Sequence, residues 1–153
     1  MFLQSRWQFR KIMAEIHFDE TIEVLSIEDG QKKRVYRIVA KSEKGEFYLE
    51  LDVHTSLYSM LPGEKYRMVI SNSLHLDGSD VSGYFPQGGQ KSLADEFEFV
   101  MHGLLYKISE AKGSNTQVVV YISFGGLQLM LRGDLLKMHQ FSNRKLFLLL
   151  KKM

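Results

Sequence analysis

Apolar residues recur at every second position through most of this chain, the period of an extended strand that turns one face inward. The strongest instance is residues 117–134, QVVVYISFGGLQLMLRGD. Val118, Val120, Ile122 and Phe124 fall on one side before the pair Gly125-Gly126, and Leu127, Leu129 and Leu131 alternate with Gln128, Met130 and Arg132 after it. Adjacent glycines accept the positive φ angles of a tight two-residue turn, so the pattern predicts an antiparallel hairpin closed at Gly125-Gly126. Two strands this apolar cannot stand alone in water and call for more sheet around them.

The rest of the chain supplies that sheet. Ile16, Phe18, Ile22 and Val24 alternate and then change phase to Leu25 and Ile27, which predicts a long first strand that bends or bulges partway. Glu28-Asp29-Gly30 reads as a turn, residues 35–41 as a second strand, and Lys44-Gly45 as the turn into a third. In that third strand Phe47, Leu49, Leu51 and Val53 face inward while Tyr48, Glu50, Asp52 and His54 face water. Pro62-Gly63 precedes a fourth strand carried by Tyr66, Met68 and Ile70.

Residues 96–108 read as the fifth strand, with Phe97, Phe99 and Met101 on one side before Gly103 and Leu104, Tyr106 and Ile108 on the opposite parity after it. A bulge or corner is therefore expected at that glycine. The hairpin gives strands six and seven, residues 135–139 a helical turn capped by Asp134, and residues 144–152 a last strand apolar on both faces. Residues 72–94 hold five of the glycines and prolines among Ser and Asp without any period. Loops of that length are functional or disordered, and disorder is the expectation.

Eight strands, almost no helical period and two phase switches predict an all-β fold, a single antiparallel barrel of about eight strands. An oligonucleotide-binding (OB)-like barrel fits the size, and a ligand-holding barrel fits it as well.

Composition narrows the function classes. At 153 residues the chain is expected to be one domain, 13–153, preceded by a flexible extension 1–12, with Met13 as a candidate initiator. The absence of cysteine removes disulfides, thiolate metal sites and cysteine nucleophiles, and no Asn-x-Ser/Thr acceptor argues for secretion. No apolar run approaches the roughly 20 residues of a membrane helix, so no membrane partner is expected. The formal charge is +2, yet Arg6, Arg10 and Lys11 lie in the acid-free first twelve residues, leaving 17 basic against 18 acidic residues in the rest. A body that close to neutral is not built for strong, sequence-independent nucleic-acid binding.

Candidate chemistry is sparse. The histidines at 17, 54, 75, 102 and 139 show no pair at metal-ligand spacing. Residues 88–92 (GGQKS) lack the Gly-Lys adjacency of a phosphate loop, and residues 77–80 (DGSD) lack the remaining ligands of a calcium loop. Glu96 and Glu98 are an ordinary carboxylate pair on a solvated strand. Tyr48, Tyr66, Tyr106, Tyr121 and Phe124 could stack on bases only if they lined an open groove, and by parity most belong to the core. These residues favour a non-catalytic barrel with no cofactor that binds a partner.

Several separated stretches, in order, carry a family resemblance. They are residues 47–53 (FYLELDV), 61–73 (LPGEKYRMVISNS), 95–108 (DEFEFVMHGLLYKI), 121–134 (YISFGGLQLMLRGD), 139–141 (HQF) and the apolar 144–152 ending in Lys-Lys. Together they resemble the eighth subunit of eukaryotic nuclear RNA polymerases, the small OB-like subunit shared by polymerases I, II and III. The resemblance covers residues 13–153 and implies a non-catalytic structural subunit, located in the nucleus and nucleolus, that docks on the largest polymerase subunit. It also implies a variable loop at 72–94.

Two features suggest where a partner would sit. The hairpin and the last strand are more apolar than one core face requires, so part of that surface is expected to be covered by another chain. The expected docking residues are Tyr121, Phe124, Gly125, Gly126 and Leu127. The alternative is a free single-strand nucleic-acid binder, which would show tight, steeply salt-dependent oligonucleotide binding; a small-molecule barrel would need an open apolar interior.

Overall fold

The alternating stretches each form a strand, and the strands pair in sequence-distant as well as adjacent combinations. β1 (Ile16–Asp29), β2 (Val35–Ser42), β3 (Tyr48–His54), β4 (Lys65–Ser71), β5 (Phe99–Glu110), β6 (Gln117–Phe124), β7 (Leu127–Asp134) and β8 (Lys145–Lys152) are joined by turns, a 3-10 turn (Leu93–Glu96) and a short helix, α1 (Leu135–Met138). The computed structural model describes residues 16–30, 32–74, 92–111, 113, 116–138, 141 and 144–153. The expectations for the extension 1–12, Met13, His75, His139 and most of the loop 72–94 lie outside those residues.

The strands close into a barrel in the order β1-β2-β3-β7-β6-β5-β8-β4, every neighbouring pair antiparallel. This is the antiparallel eight-stranded barrel the alternation predicts, consistent with the OB-like fold that the family resemblance implies. β1 is long because it serves two neighbours: its first half pairs with β4 and its second half with β2. The register with β2 slips between Val24 and Ser26, a bulge at the predicted phase change, but Leu25 is the extra residue and turns outward instead of joining the inward set.

Inward-facing residues fill the interior. Leu49, Leu51, Met68, Ile122, Leu129 and Leu148 are inaccessible to solvent. Two glycines permit the close packing. A Cβ on Gly103 of β5 would lie 2.4 Å from the Ser123 carbonyl oxygen and 2.5 Å from the Phe124 ring, and one on Gly133 of β7 would lie 2.6 Å from the Phe47 ring. In each case the aromatic ring of an adjacent segment lies over bare backbone, the device that lets a strongly curved sheet fill its own corner.

The structure corrects two expectations for β5. The strand begins at Phe99, because Ser92 caps the preceding 3-10 turn: its hydroxyl accepts the Ala94 N–H (3.0 Å) while the Asp95 carboxylate accepts the Ser92 N–H (2.9 Å). Glu96 and Glu98 therefore do not share a strand face. The register slip lies between Leu105 and Lys107, three residues past Gly103, so Tyr106 is the bulged residue and Leu104 lies outside the barrel instead of in its core.

The apolar outer face of β8 is also resolved differently from expectation. Phe147 and Leu149, with Val69 of β4, form a second buried cluster with Leu74, Leu93, Ala94 and Phe97. The Leu93 N–H and the Ser92 hydroxyl both donate to the Leu74 carbonyl (2.8 and 3.2 Å), which pins these residues against the barrel wall. The chain itself covers this face, and no partner is required there.

One barrel end is closed by a polar-aromatic network. Tyr58 stacks on Phe99 with centroids 5.0 Å apart and donates to Glu98 (2.7 Å), and Tyr66 donates to Glu64 (2.6 Å). The Lys152 ammonium beside Glu64, followed by the Tyr66 hydroxyl and the Leu61 N–H, lowers the Glu64 carboxyl from the usual 4.5 to about 2. A depressed carboxyl stabilises the fold above its unfolded value and loses that contribution as pH falls through the folded one. The stability difference between the native chain and Glu64→Gln should therefore be full above about pH 4.5 and vanish towards pH 2. Denaturant midpoints of the two proteins across that range measure it; a difference independent of pH would contradict the assignment.

Candidate docking surface

The β6–β7 hairpin is built as its glycine pair predicts. Phe124 pairs with Leu127 across a two-residue turn in which Gly125 has φ 63° and Gly126 φ 99°. Both angles are positive, the turn geometry that matches strand twist. The Gly126 N–H points to the Ser123 hydroxyl at 3.4 Å, and the tip is exposed.

The five residues expected at a docking surface do not share one face. Tyr121 stands on the outer wall, half-buried, and the two glycines form the exposed tip. Phe124 is buried over Gly103, and Leu127 is half-buried against the core. A partner could touch the first three directly; Phe124 and Leu127 shape the tip from within.

Around Tyr121 the outer wall is aromatic and apolar. The Lys107 ammonium lies 5.3 Å from the Tyr121 ring centroid and the Tyr106 ring 6.1 Å from it, while the Tyr106 hydroxyl donates to the Gln128 side-chain oxygen (3.2 Å). Leu104 is 42% exposed, Tyr106 50% and Ile108 52%. Ile108 is exposed because β8 pairs with β5 only as far as Leu104, leaving β6 as the neighbour of the strand's last residues among those described. Ile108 keeps the core side, opposite Val120, and only the early end of β8 exposes it, whereas Leu104 and Tyr106 face out because the register slip falls past Gly103.

Beside this wall, on β2 and β3, two charges compensate each other. Arg37 grips Asp52 through Nε (3.0 Å) and Nη2 (3.4 Å), and Asp52 is buried on the nominally wet side of β3. Its Oδ2 also accepts the Gln128 N–H at 3.0 Å, just past Leu51 and Leu129, the last paired residues of β3 and β7. Where the backbone ladder ends, this carboxylate continues it and ties the hairpin to β2 and β3. Tyr121, Gln128 and Met130 line a shallow cavity of about 240 Å³ with Arg37 and Glu50.

This arrangement offers adhesion rather than chemistry. Among the described residues no three His, Asp or Glu side chains converge as metal ligands. An exposed aromatic patch with one cation held over a ring is what a protein interface uses.

Comparison with known proteins points the same way. The profile of the family described as RNA polymerase Rpb8 matches residues 19–152. The chain is 42% identical to the "DNA-directed RNA polymerases II, IV and V subunit 8B" of Arabidopsis thaliana over 127 residues, 82% of this chain and 87% of the relative. It is 42% identical to the "DNA-directed RNA polymerases I, II, and III subunit rpabc3" of Dictyostelium discoideum over 125 residues (80% and 86% of the two chains). Against the corresponding Saccharomyces cerevisiae subunit it is 29% identical over 148 residues, 92% of this chain and all of the relative. A profile match across the whole barrel, from β1 to β8, and relatives aligned over most of both chains leave one assignment: the chain belongs to the Rpb8 family of RNA polymerase subunits.

Proposed function

We propose that this chain is a structural subunit common to the nuclear RNA polymerases I, II and III, docked at the periphery of the enzyme on its largest subunit, in the nucleus and nucleolus. Members of its family are polymerase subunits without catalytic activity of their own. The observation that carries the docking reading is the outer wall of β5 and β6: Leu104 and Tyr106, exposed beside Tyr121 and the glycine tip, form the aromatic patch an interface core needs, with the Lys107 ammonium held over the Tyr121 ring.

Replacing Leu104 and Tyr106 together by Glu puts two charges into that patch without touching the interior. Co-purification of the largest subunit with the tagged variant should drop by about tenfold or more, as expected for loss of a central aromatic anchor. The thermal midpoint of the isolated chain should stay at the native value. Undiminished recovery of the largest subunit with a folded variant would defeat the docking assignment.

A further inference from the structure

A concave surface lies at the same barrel end as the hairpin tip and adjoins it through Lys32, whose ammonium would stand 2.9 Å from a Cβ on Gly126. Between β1–β3 and the segment that links β3 to β4 there is a crevice of about 360 Å³. Ile38, Val53 and Met60, all buried, form its floor; Ile27 and Leu61 form its walls, and the exposed Thr55 and Ser59 its rim. That volume lies in the range of roughly 300–1,000 Å³ typical of ligand pockets, and its floor presents only aliphatic carbon and sulfur.

The crevice runs into the β1–β2 turn. Tyr36 lines both the crevice and the hollow formed by Asp29, Lys32, Lys33 and Arg34. The two parts are joined through the backbone: the Thr55 N–H (3.0 Å) and hydroxyl (3.3 Å) both donate to the Arg34 carbonyl. Arg34 has φ 64°, the left-handed conformation that is costly for a residue with a side chain. Lys32, Lys33 and Arg34 are exposed, and none of them is in an ion pair among the described residues. Asp29 is the one acid lining the hollow; Glu28 pairs in register with Arg37, on the other wall.

We infer that the crevice and turn form a second protein-binding site that accepts an extended acidic peptide with one apolar anchor side chain. The anchor occupies the aliphatic floor, and carboxylates beside it meet the three uncompensated cations. The barrel wall here is already hydrogen-bonded from β1 to β3, so the site works by a side-chain pocket and not by adding a strand. A nucleic-acid strand is the poorer match. Bases need open aromatic faces to stack on, and the aromatic side chain here, Tyr36, is half-buried among aliphatics.

The test uses the full chain and a fluorescent peptide of aspartates and glutamates around one central phenylalanine. Controls are the same peptide with serine for phenylalanine and a single-stranded oligothymidylate. The phenylalanine peptide should bind saturably and about tenfold more tightly than the serine peptide, with affinity falling as salt rises. The double variant Lys32→Glu/Lys33→Glu should weaken it by about tenfold, chiefly through the association rate, and should flatten the salt dependence. Ser59→Trp, which overhangs the crevice from an exposed rim position, should weaken it with the charges intact. Unchanged thermal unfolding of each variant keeps the comparison valid. Equal binding of the two peptides, or no saturation up to about 1 mM peptide, overturns the inference. So does tighter binding of the oligothymidylate that the same variants abolish, which would make the surface a nucleic-acid site. Because Lys32 reaches Gly126, the arms that separate this inference from retention of the largest subunit through Leu104 and Tyr106 are the serine peptide and Ser59→Trp, which leave the hairpin tip unchanged.

Discussion

Gly103→Val should destabilise the barrel by about 3 kcal/mol, the upper range for forcing extra carbon into a packed site. The added Cβ would stand 2.4 Å from the Ser123 carbonyl oxygen, a backbone atom of β6 that cannot step aside without moving the strand. It would also strike the Phe124 ring at 2.5 Å, and that ring is held in the core under the hairpin tip. For a chain of this size the change corresponds to a thermal midpoint lowered by roughly 6 to 12 °C. Denaturant unfolding at constant m value measures it directly. Adding Phe124→Leu to Gly103→Val should recover part of the loss by removing one of the two clashes. A Gly103→Val protein as stable as the native one would show that β5 and β6 can part at this point, and that the glycine does not set their spacing.

Asp52→Ala should cost about 2 kcal/mol by leaving a half-buried N–H without an acceptor. The carboxylate receives two guanidinium contacts from Arg37 and the Gln128 N–H, and it sits where β3 and β7 have ceased to pair. Asp52→Asn keeps an oxygen for Gln128 but turns its NH2 towards the Arg37 Nε–H, so it gives up the charge and that one bond at a partly exposed Arg37 and should cost about 1 kcal/mol, less than the Ala variant. The Gln128 amide should exchange faster in the Ala variant than in the Asn variant. Equal losses in the two proteins would shift the contribution from the Gln128 bond to the Arg37 pair.

What could be read in advance follows from how local each feature is. The alternation of Phe47, Leu49, Leu51 and Val53 is a property of one strand, and all four are buried as expected. The glycine pair at 125–126 needs only its own φ angles, and the phase change at Leu25 needs only two consecutive apolar residues. The capping box at Ser92 and Asp95 was also visible in principle, since a hydroxyl followed three residues later by an acid before an apolar run marks a helical start. It was hidden by the apparent alternation of Phe97 and Phe99.

Other features depend on which strand lies alongside. Leu104 looks like core until the pairing with β6 shows that the register slips at Tyr106 and not at Gly103, which leaves Leu104 on the outer face. Phe147 and Leu149 look like a surface for another molecule until Leu74, Leu93 and Phe97 arrive from a distant part of the chain. Asp52 reads as one of a row of wet acids, and only the parting of β3 from β7 reveals why it is buried. Sequence predicted the hairpin and its glycine turn. It could not tell that Tyr121 faces out while Phe124 and Leu127 face in, because that depends on which side of the closed sheet encloses the core.

The place of β8 in the barrel has a consequence for the life of the nascent chain. β8 lies between β4 and β5, so all the other strands leave the ribosome before the one that joins the two halves of the sheet. Until Lys145 and the residues after it emerge, the sheet is open, with β4 and β5 as bare edges and the Leu146, Leu148 and Leu150 side of the interior unfilled. Exposed edges beside an unfilled apolar face invite pairing with other chains. Closure thus waits on the last of the eight strands, and a copy interrupted before it is marked by two sticky edges that the closed barrel does not display.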